Sequence, residues 1–237
     1  MRVKICGTAT FADLACALTA GADAIGFLMG ITHVTQDAVT PEAAAAMVAT
    51  LPPFVEPVAV THLTKPADLI RIVEASHCTT LQIQDLVTPE DIAEVREALP
   101  YLRIVKAVHV MDASAVATAK YFADAADAIL LDTRTADRIG GTGIPHDWNI
   151  SARIVEVCPV PVILAGGLTP ENVAEAVRRV RPYAVDVHTG VKKRTVFGMQ
   201  NEPWGYQMED IFMQVKKNGV RDAKRTLAFV ANARSCS

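Results

Sequence analysis

The sequence predicts a (β/α)8 barrel, on three observations. Short β-branched runs alternate with alanine-rich helical stretches in eight units along 237 residues, which is the size at which such barrels close. Several of the runs end in glycine-rich loops, the usual site of ligand loops in a parallel α/β protein. No low-complexity linker divides the chain, so residues 1–237 read as a single barrel domain. An open doubly wound sheet is the alternative architecture.

The strands are predicted at 3–6, 24–28, 58–61, 80–83, 103–108, 128–132, 160–164 and 184–187. Each is a short apolar or β-branched run of strand length between helical segments. The helices between them are predicted near 9–20, 41–50, 66–75, 89–98, 112–120, 148–156, 170–179 and 221–233. Thr40-Pro41-Glu42, Thr88-Pro89-Glu90 and Thr169-Pro170-Glu171 mark three helix entries. Each offers an N-cap threonine, a proline whose missing N–H costs nothing in the first turn, and an acid beside the helix dipole. One stretch breaks the rhythm. Residues 192–219 are far longer than an ordinary βα loop and hold Phe197, Trp204, Tyr206 and Phe212. They read as an insertion, either a lid over the catalytic rim or a surface excursion.

Composition narrows the function. A net charge of −3 offers no attraction to nucleic acid or to an anionic membrane. No apolar run reaches the roughly 20 residues of a membrane span. The first residues read as a strand rather than a signal peptide. Five cysteines without a Cys-x-x-Cys pair fit a reducing compartment better than a disulfide framework. The expected setting is cytoplasmic and the expected partner a small molecule, with the protein a monomer or homodimer.

The chemistry-bearing residues lie at strand ends, which a barrel gathers on one face. Asp132 ends a buried run and is followed by Gly140-Gly141-Thr142-Gly143. Gly166-Gly167 and Thr189-Gly190 repeat the pattern after the next two strands. Glycine lets backbone amides approach a ligand closely, and three such loops in succession point to a phosphate. Cys6 ends the first strand just before Gly7. Lys4 lies two residues back on the same face, where its cation would favour the thiolate. A carboxyl and a thiol beside a phosphate cradle are equipped for proton transfer.

These residues resemble the phosphoribosylanthranilate isomerase family of tryptophan biosynthesis. The resemblance is carried by Lys4-Ile5-Cys6-Gly7-Thr8, the 21–27 segment, Leu130-Leu131-Asp132-Thr133 with Gly140–Gly143 and Asp147-Trp148, Leu164-Ala165-Gly166-Gly167-Leu168 with Pro170-Glu171-Asn172-Val173, and Arg181-Pro182 with Val185-Asp186-Val187 and Gly190-Val191. It spans nearly the whole chain. It implies a TIM barrel without a cofactor that performs an Amadori rearrangement, an aldose-to-ketose conversion of an N-linked ribose 5-phosphate. By motif, Asp132 is then the general acid at the ring oxygen and Cys6 the general base at C2. The phosphate rests on Gly143, Gly166, Gly167, Thr189 and Gly190. Lys4, His33, His62, Gln84, Arg134 and His188 are candidates for substrate contact.

The chain also departs from the family pattern at this rim. Residues 30–37 hold no arginine where the family has a basic loop, and Lys192 replaces an acid. His33, His62, His109 and His188 stand at or just past strand ends. No metal is expected, but His62, His109 and His188 are the residues that would ligate one. Two alternatives stay open: a paralogue acting on another phosphorylated small molecule, with a metal as an option, and a non-catalytic phosphate-ligand binder.

Overall fold

A computed structural model describes residues 1–32, 35–135, 138–139, 146–193 and 220–236. Eight parallel strands close into a barrel: β1 (Arg2–Ile5), β2 (Ala24–Leu28), β3 (Glu56–Thr61), β4 (Thr80–Ile83), β5 (Arg103–His109), β6 (Ala128–Asp132), β9 (Val162–Leu164) and β10 (Ala184–Val187). The ring runs β1-β10-β9-β6-β5-β4-β3-β2, each strand beside its sequence neighbour and β10 returning to β1. The two-residue strands β7 (Arg134–Thr135) and β8 (Arg138–Ile139) form a small antiparallel hairpin after β6. The open-sheet alternative is excluded by this closure.

Around the barrel lie α1 (Phe11–Thr19), α2 (Pro41–Val48), α3 (Pro66–Ser76), α4 (Pro89–Ala98), α5 (Ala115–Ala123), α6 (Trp148–Val157), α7 (Val173–Val180) and α8 (Ala223–Arg234). The last helix packs against α7 and α1 and so closes the ring of helices. Alternation along the strands sorts the residues into two layers. Val3, Ile5, Ile25, Phe27, Leu81, Ile83, Ile104, Ile129, Leu131 and Val185 face the helices and form the main core. The barrel interior holds two smaller apolar groups: Cys6, Leu28, Val58 and Val60 on one side, and Val105, Ala107, Ala128, Leu130 and Ala165 on the other. The buried polar residues Lys4, Gln82 and Asp186 also sit on interior positions of their strands.

Two of the three threonine entries behave as expected. Thr40 caps α2 through the Ala43 N–H, and Thr88 forms a capping box with Asp91. At the third, the Thr169 hydroxyl accepts from the Glu171 N–H at 3.3 Å, but the regular part of α7 begins later, at Val173, with Asn172 at its cap. Asn172 is drawn into the loop instead, accepting from the Thr169 N–H at 2.8 Å and donating to the Gly167 carbonyl at 3.0 Å. Insertion residues 194–219, and with them the expected lid, lie outside the described residues. The stems of the insertion are described. Lys192 and Arg221 pair as an antiparallel bridge, with Lys193 N–H bonded to the Val220 carbonyl at 2.8 Å.

The fully buried Phe229 on α8 anchors the helix that closes the ring. Phe229→Ala is expected to cost about 3–5 kcal/mol in urea unfolding. A loss below about 1 kcal/mol would show that α8 is not packed as described.

Candidate active site

Lys4 and Asp186 are register partners on β1 and β10, and their side chains meet in the barrel interior at 3.0 Å. Both are almost fully buried. Cys6 stands one interior position further along β1. The space these groups share is left by Gly26 on β2. A β-carbon there would lie 2.9 Å from Cys6 Sγ and 3.1 Å from Lys4 Nζ. Lys4, expected among the substrate contacts, thus has its ammonium on Asp186 and beside the thiol. Burial works against the ammonium, but Asp186 and Cys6 outweigh it and hold its pKa above the ordinary lysine value. The thiol goes the other way. Burial pushes Cys6 up to about 11; Lys4 opposes this and the like charge of Asp186 adds to it. A thiolate favoured at neutral pH by Lys4 is therefore not what the unliganded site provides. At the thiol the Lys4 charge is opposed by burial, the larger effect, and by the like charge of Asp186.

Asp132 ends β6 on the interior face shared by Ala128 and Leu130. Burial raises its carboxyl to about 6; the Thr133 N–H at 2.7 Å opposes the rise and the charge of Asp186 adds to it. Thr133 is itself fixed, its hydroxyl 2.9 Å from His146 Nδ1. The other ring nitrogen of His146 is 2.5 Å from the Ser151 hydroxyl on α6, and burial lowers its pKa to about 4.

The glycine loops close over this end of the barrel. Gly166 and Gly167 have φ of 79° and 68°, which side-chain-bearing residues rarely adopt. A β-carbon on Gly166 would fall 2.3 Å from the Thr133 hydroxyl, so the glycine lets the β9 loop lie against the residue after Asp132. Thr189–Val191 forms a 3-10 turn after β10, and a β-carbon on Gly190 would strike the Leu168 carbonyl at 1.9 Å. Two of the three expected phosphate loops therefore touch one another. Gly143 of the third lies outside the described residues, as does His33.

His62 and His188 have partners of their own. His62 Nδ1 is 2.9 Å from the Thr32 hydroxyl. His188 Nε2 is 2.8 Å from Asp37 Oδ2; burial lowers the pKa of its ring and the Asp37 hydrogen bond opposes this. Asp37 also pairs with the buried Lys192 ammonium. His109 lies on the interior register of β5 with Val105 and Ala107, while Lys106 turns outward beneath the Phe122 ring. Gln84 has a buried amide oxygen without a hydrogen bond among the described residues. Arg134 falls in β7. Among the described residues no three His, Cys, Asp or Glu side chains converge as a metal site would require, so His62, His109 and His188 do not form one.

The N-(5'-phosphoribosyl)anthranilate (PRA) isomerase family model matches residues 3–202. A relative of that name from Methanocella arvoryzae is 43% identical over 192 residues, 81% of this chain and 89% of its own. One from Methanothrix thermoacetophila is 36% identical over 99% of both chains. The solved phosphoribosyl anthranilate isomerase of Thermotoga maritima superposes with a TM-score of 0.79 at 28% identity, covering 99% of each chain. The Thermus thermophilus structure gives 0.78 at 29% identity over the whole of both chains. The chain belongs to the phosphoribosylanthranilate isomerase family. It is an isomerase built on the barrel that its sequence predicts.

Within that family frame, sequence reasoning missed Asp37, Asp186, Arg221, Gly26 and His146. Asp186 had a signal: it is an acid in the middle of an otherwise apolar strand, on the same predicted edge-to-edge pair as Lys4. Gly26, inside a strand, carried the weaker signal of a close approach. Asp37, Arg221 and His146 gave none, since their partners are distant in sequence.

The raised carboxyl has a stability consequence. Asp132 holds its proton up to about pH 6 when folded but only to about 3.8 otherwise, so stability falls as pH rises between those values. Asp132→Asn is therefore expected to stabilise the fold at pH 7 by on the order of 2 kcal/mol, with the gain shrinking toward zero near pH 4. Urea unfolding at the two pH values reads the difference. An equal effect at both would show that the buried charge is not its source.

Proposed function

We propose that this protein catalyses the Amadori rearrangement of N-(5'-phosphoribosyl)anthranilate, with Asp132 as general acid and Cys6 as general base. The observation that carries the reading is a carboxyl with a raised pKa and a thiol opening on one barrel interior around the Lys4–Asp186 pair. One solved family member, 27% identical over 99% of each chain with a TM-score of 0.76, is a complex with reduced 1-(o-carboxyphenylamino)-1-deoxyribulose 5-phosphate. That ligand is the product skeleton such a reaction requires.

The steps follow from the charges. Protonated Asp132 gives its proton to the ribose ring oxygen. The C1–O bond breaks, the nitrogen lone pair forms C=N, and a cationic Schiff base remains beside the new carboxylate. Cys6 as thiolate then removes the C2 proton. The released electron pair forms C1=C2 and neutralises the nitrogen, and the enolamine tautomerises to the ketone. The cation on the substrate resolves the difficulty posed by a thiol at about 11. It appears one bond from C2, acidifies that proton and lowers the thiol pKa at the moment a thiolate is needed. The Lys4 ammonium supports the same charge.

In this reading the phosphate lies on Gly143, Gly166, Gly167, Thr189 and Gly190, because glycine lets backbone N–H groups come close to an anion. His62, Gln84 and His188, and with them His33 and Arg134, are the candidates for contact with the rest of the substrate. Lys4 acts at Cys6 rather than on substrate. The whole chain works as one barrel domain with a small phosphorylated partner, in the cytoplasm, as monomer or homodimer. A second reading, turnover of a different phosphorylated amine, is favoured by one observation: residues 30–37 contain no arginine for the anthranilate carboxylate.

The experiment is to follow the loss of anthranilate fluorescence with freshly generated substrate. Cys6→Ala and Asp132→Asn are each expected to lower kcat/KM by roughly 10²- to 10⁴-fold with the fold intact. Undiminished turnover by Cys6→Ala would overturn the base assignment. A folded wild-type protein that leaves this substrate untouched would favour the second reading.

A further inference from the structure

A buried arginine on the far side of the insertion reaches back to the peptide that carries the proposed base. The side chain of Arg221 is 1% exposed and lies between the β1 loop and α1. Its Nη2 donates to the carbonyl of Cys6 at 2.8 Å and to that of Gly7 at 2.8 Å. Its Nε lies 3.6 Å from Asp13 Oδ1, on the first turn of α1.

Those two carbonyls need a donor. The barrel ladder runs on past β1 only through N–H groups: Cys6 N–H bonds Val187 and Thr8 N–H bonds Gly26. At Gly7 the chain turns with φ +69° and leaves the sheet. The turn is packed shut from the other side, where a β-carbon on Gly7 would meet His188 Nε2 at 2.2 Å. His188 is in turn held by Asp37, and Asp37 by Lys192. Lys192 is the backbone partner of Arg221. The peptide bearing Cys6 is thus gripped between the His188 ring and the Arg221 guanidinium. Both are anchored on the stems of the segment 192–221. A planar fork is what the geometry uses: Nε lies beside a carboxylate while the two hydrogens of Nη2 reach two carbonyls, which a lysine ammonium on a flexible stem does not reproduce.

We propose that Arg221 is a positioning residue for the isomerisation, fixing the Cys6–Gly7 peptide so that the thiol is held at C2 of the sugar. The proposal rests on Cys6 being the base. A thiol on an unclamped loop still binds substrate at the phosphate loops but meets C2 less often, so the effect falls on kcat rather than KM. Misplacement of a reacting group by about 1 Å costs on the order of 100-fold in rate.

The test is steady-state kinetics of Arg221→Ala, Arg221→Lys and Cys6→Ala, with and without millimolar guanidinium ion. Arg221→Ala is expected to lose roughly 10- to 100-fold in kcat with KM within about threefold. Guanidinium ion, filling the vacated site, is expected to restore part of that kcat while doing nothing for the wild type. Arg221→Lys is expected to remain below the wild type. A purely structural arginine would behave otherwise: the melting temperature would fall, added guanidinium would lower it further, and no rate would return. Unchanged kcat, or a loss that guanidinium leaves untouched, overturns the proposal. Should both Arg221 variants fail to fold, Asp13→Asn keeps the guanidinium and removes the carboxylate beside Nε; a severalfold loss of kcat is then expected, and an unchanged kcat overturns the proposal. Full turnover by Cys6→Ala refutes the base assignment itself, separately from any rescue seen at position 221.

Discussion

The structure depends on one buried ion pair. Lys4 and Asp186 sit on the two strands that close the barrel, facing inward where water is nearly absent. Either charge alone would cost several kcal/mol to bury; together, at 3.0 Å, each removes most of the other's cost. A pair of Leu residues would pack there with less conflict. What the pair supplies is an electrostatic setting for the groups around it. Asp186 works against ionisation of both Cys6 and Asp132, and Lys4 works for it. The acid and the base are thus tuned by the same two charges, and a change at either residue is felt by both.

The second constraint is steric. The proposed base and acid, Cys6 and Asp132, come from β1 and β6, and the loops beside them come from β9 and β10. They meet only because small residues stand where larger ones would collide. Gly26 makes room for Cys6 and Lys4 together; Gly166 lets its loop rest on Thr133; Gly190 lies against the Leu168 carbonyl. Three separate loops are thereby brought into contact. The glycines at these positions serve close packing, and under the proposed function Gly166 and Gly190 also hold the phosphate.

Rim and insertion are coupled through charge. Asp37, from the loop after β2, joins His188 and Lys192, from the end of β10. Burial alone would push the Asp37 carboxyl up, but the His188 ring and the Lys192 ammonium outweigh it and hold it low. Lys192 supplies the cation that pairs with Asp37 and so ties the end of β10 to the loop after β2.

The sequence by itself determined the fold class, the order of eight strands and helices, and the strand-end positions of the candidate residues. These follow from local physics: apolar runs of strand length, cap and proline chemistry at Thr40 and Thr88, and the requirement that parallel strands place their C-terminal ends on one face. It also placed Cys6, Asp132 and the later glycine loops, because strand-end position is legible from one dimension. It placed the entry to the last-but-one helix three residues early, since Asn172 is tied to Gly167 in the folded loop. It did not give the raised pKa of the thiol, since burial, which outweighs the favourable charge of Lys4, is decided only by the fold. Only the tertiary structure decided that Arg221 holds the Cys6 peptide, that His188 faces Gly7, and that Asp37 unites the rim. The reason is physical. Burial, ion pairing and close approach are properties of through-space neighbours, and in a closed barrel the residues that set the chemistry of β1 arrive from the far end of the chain.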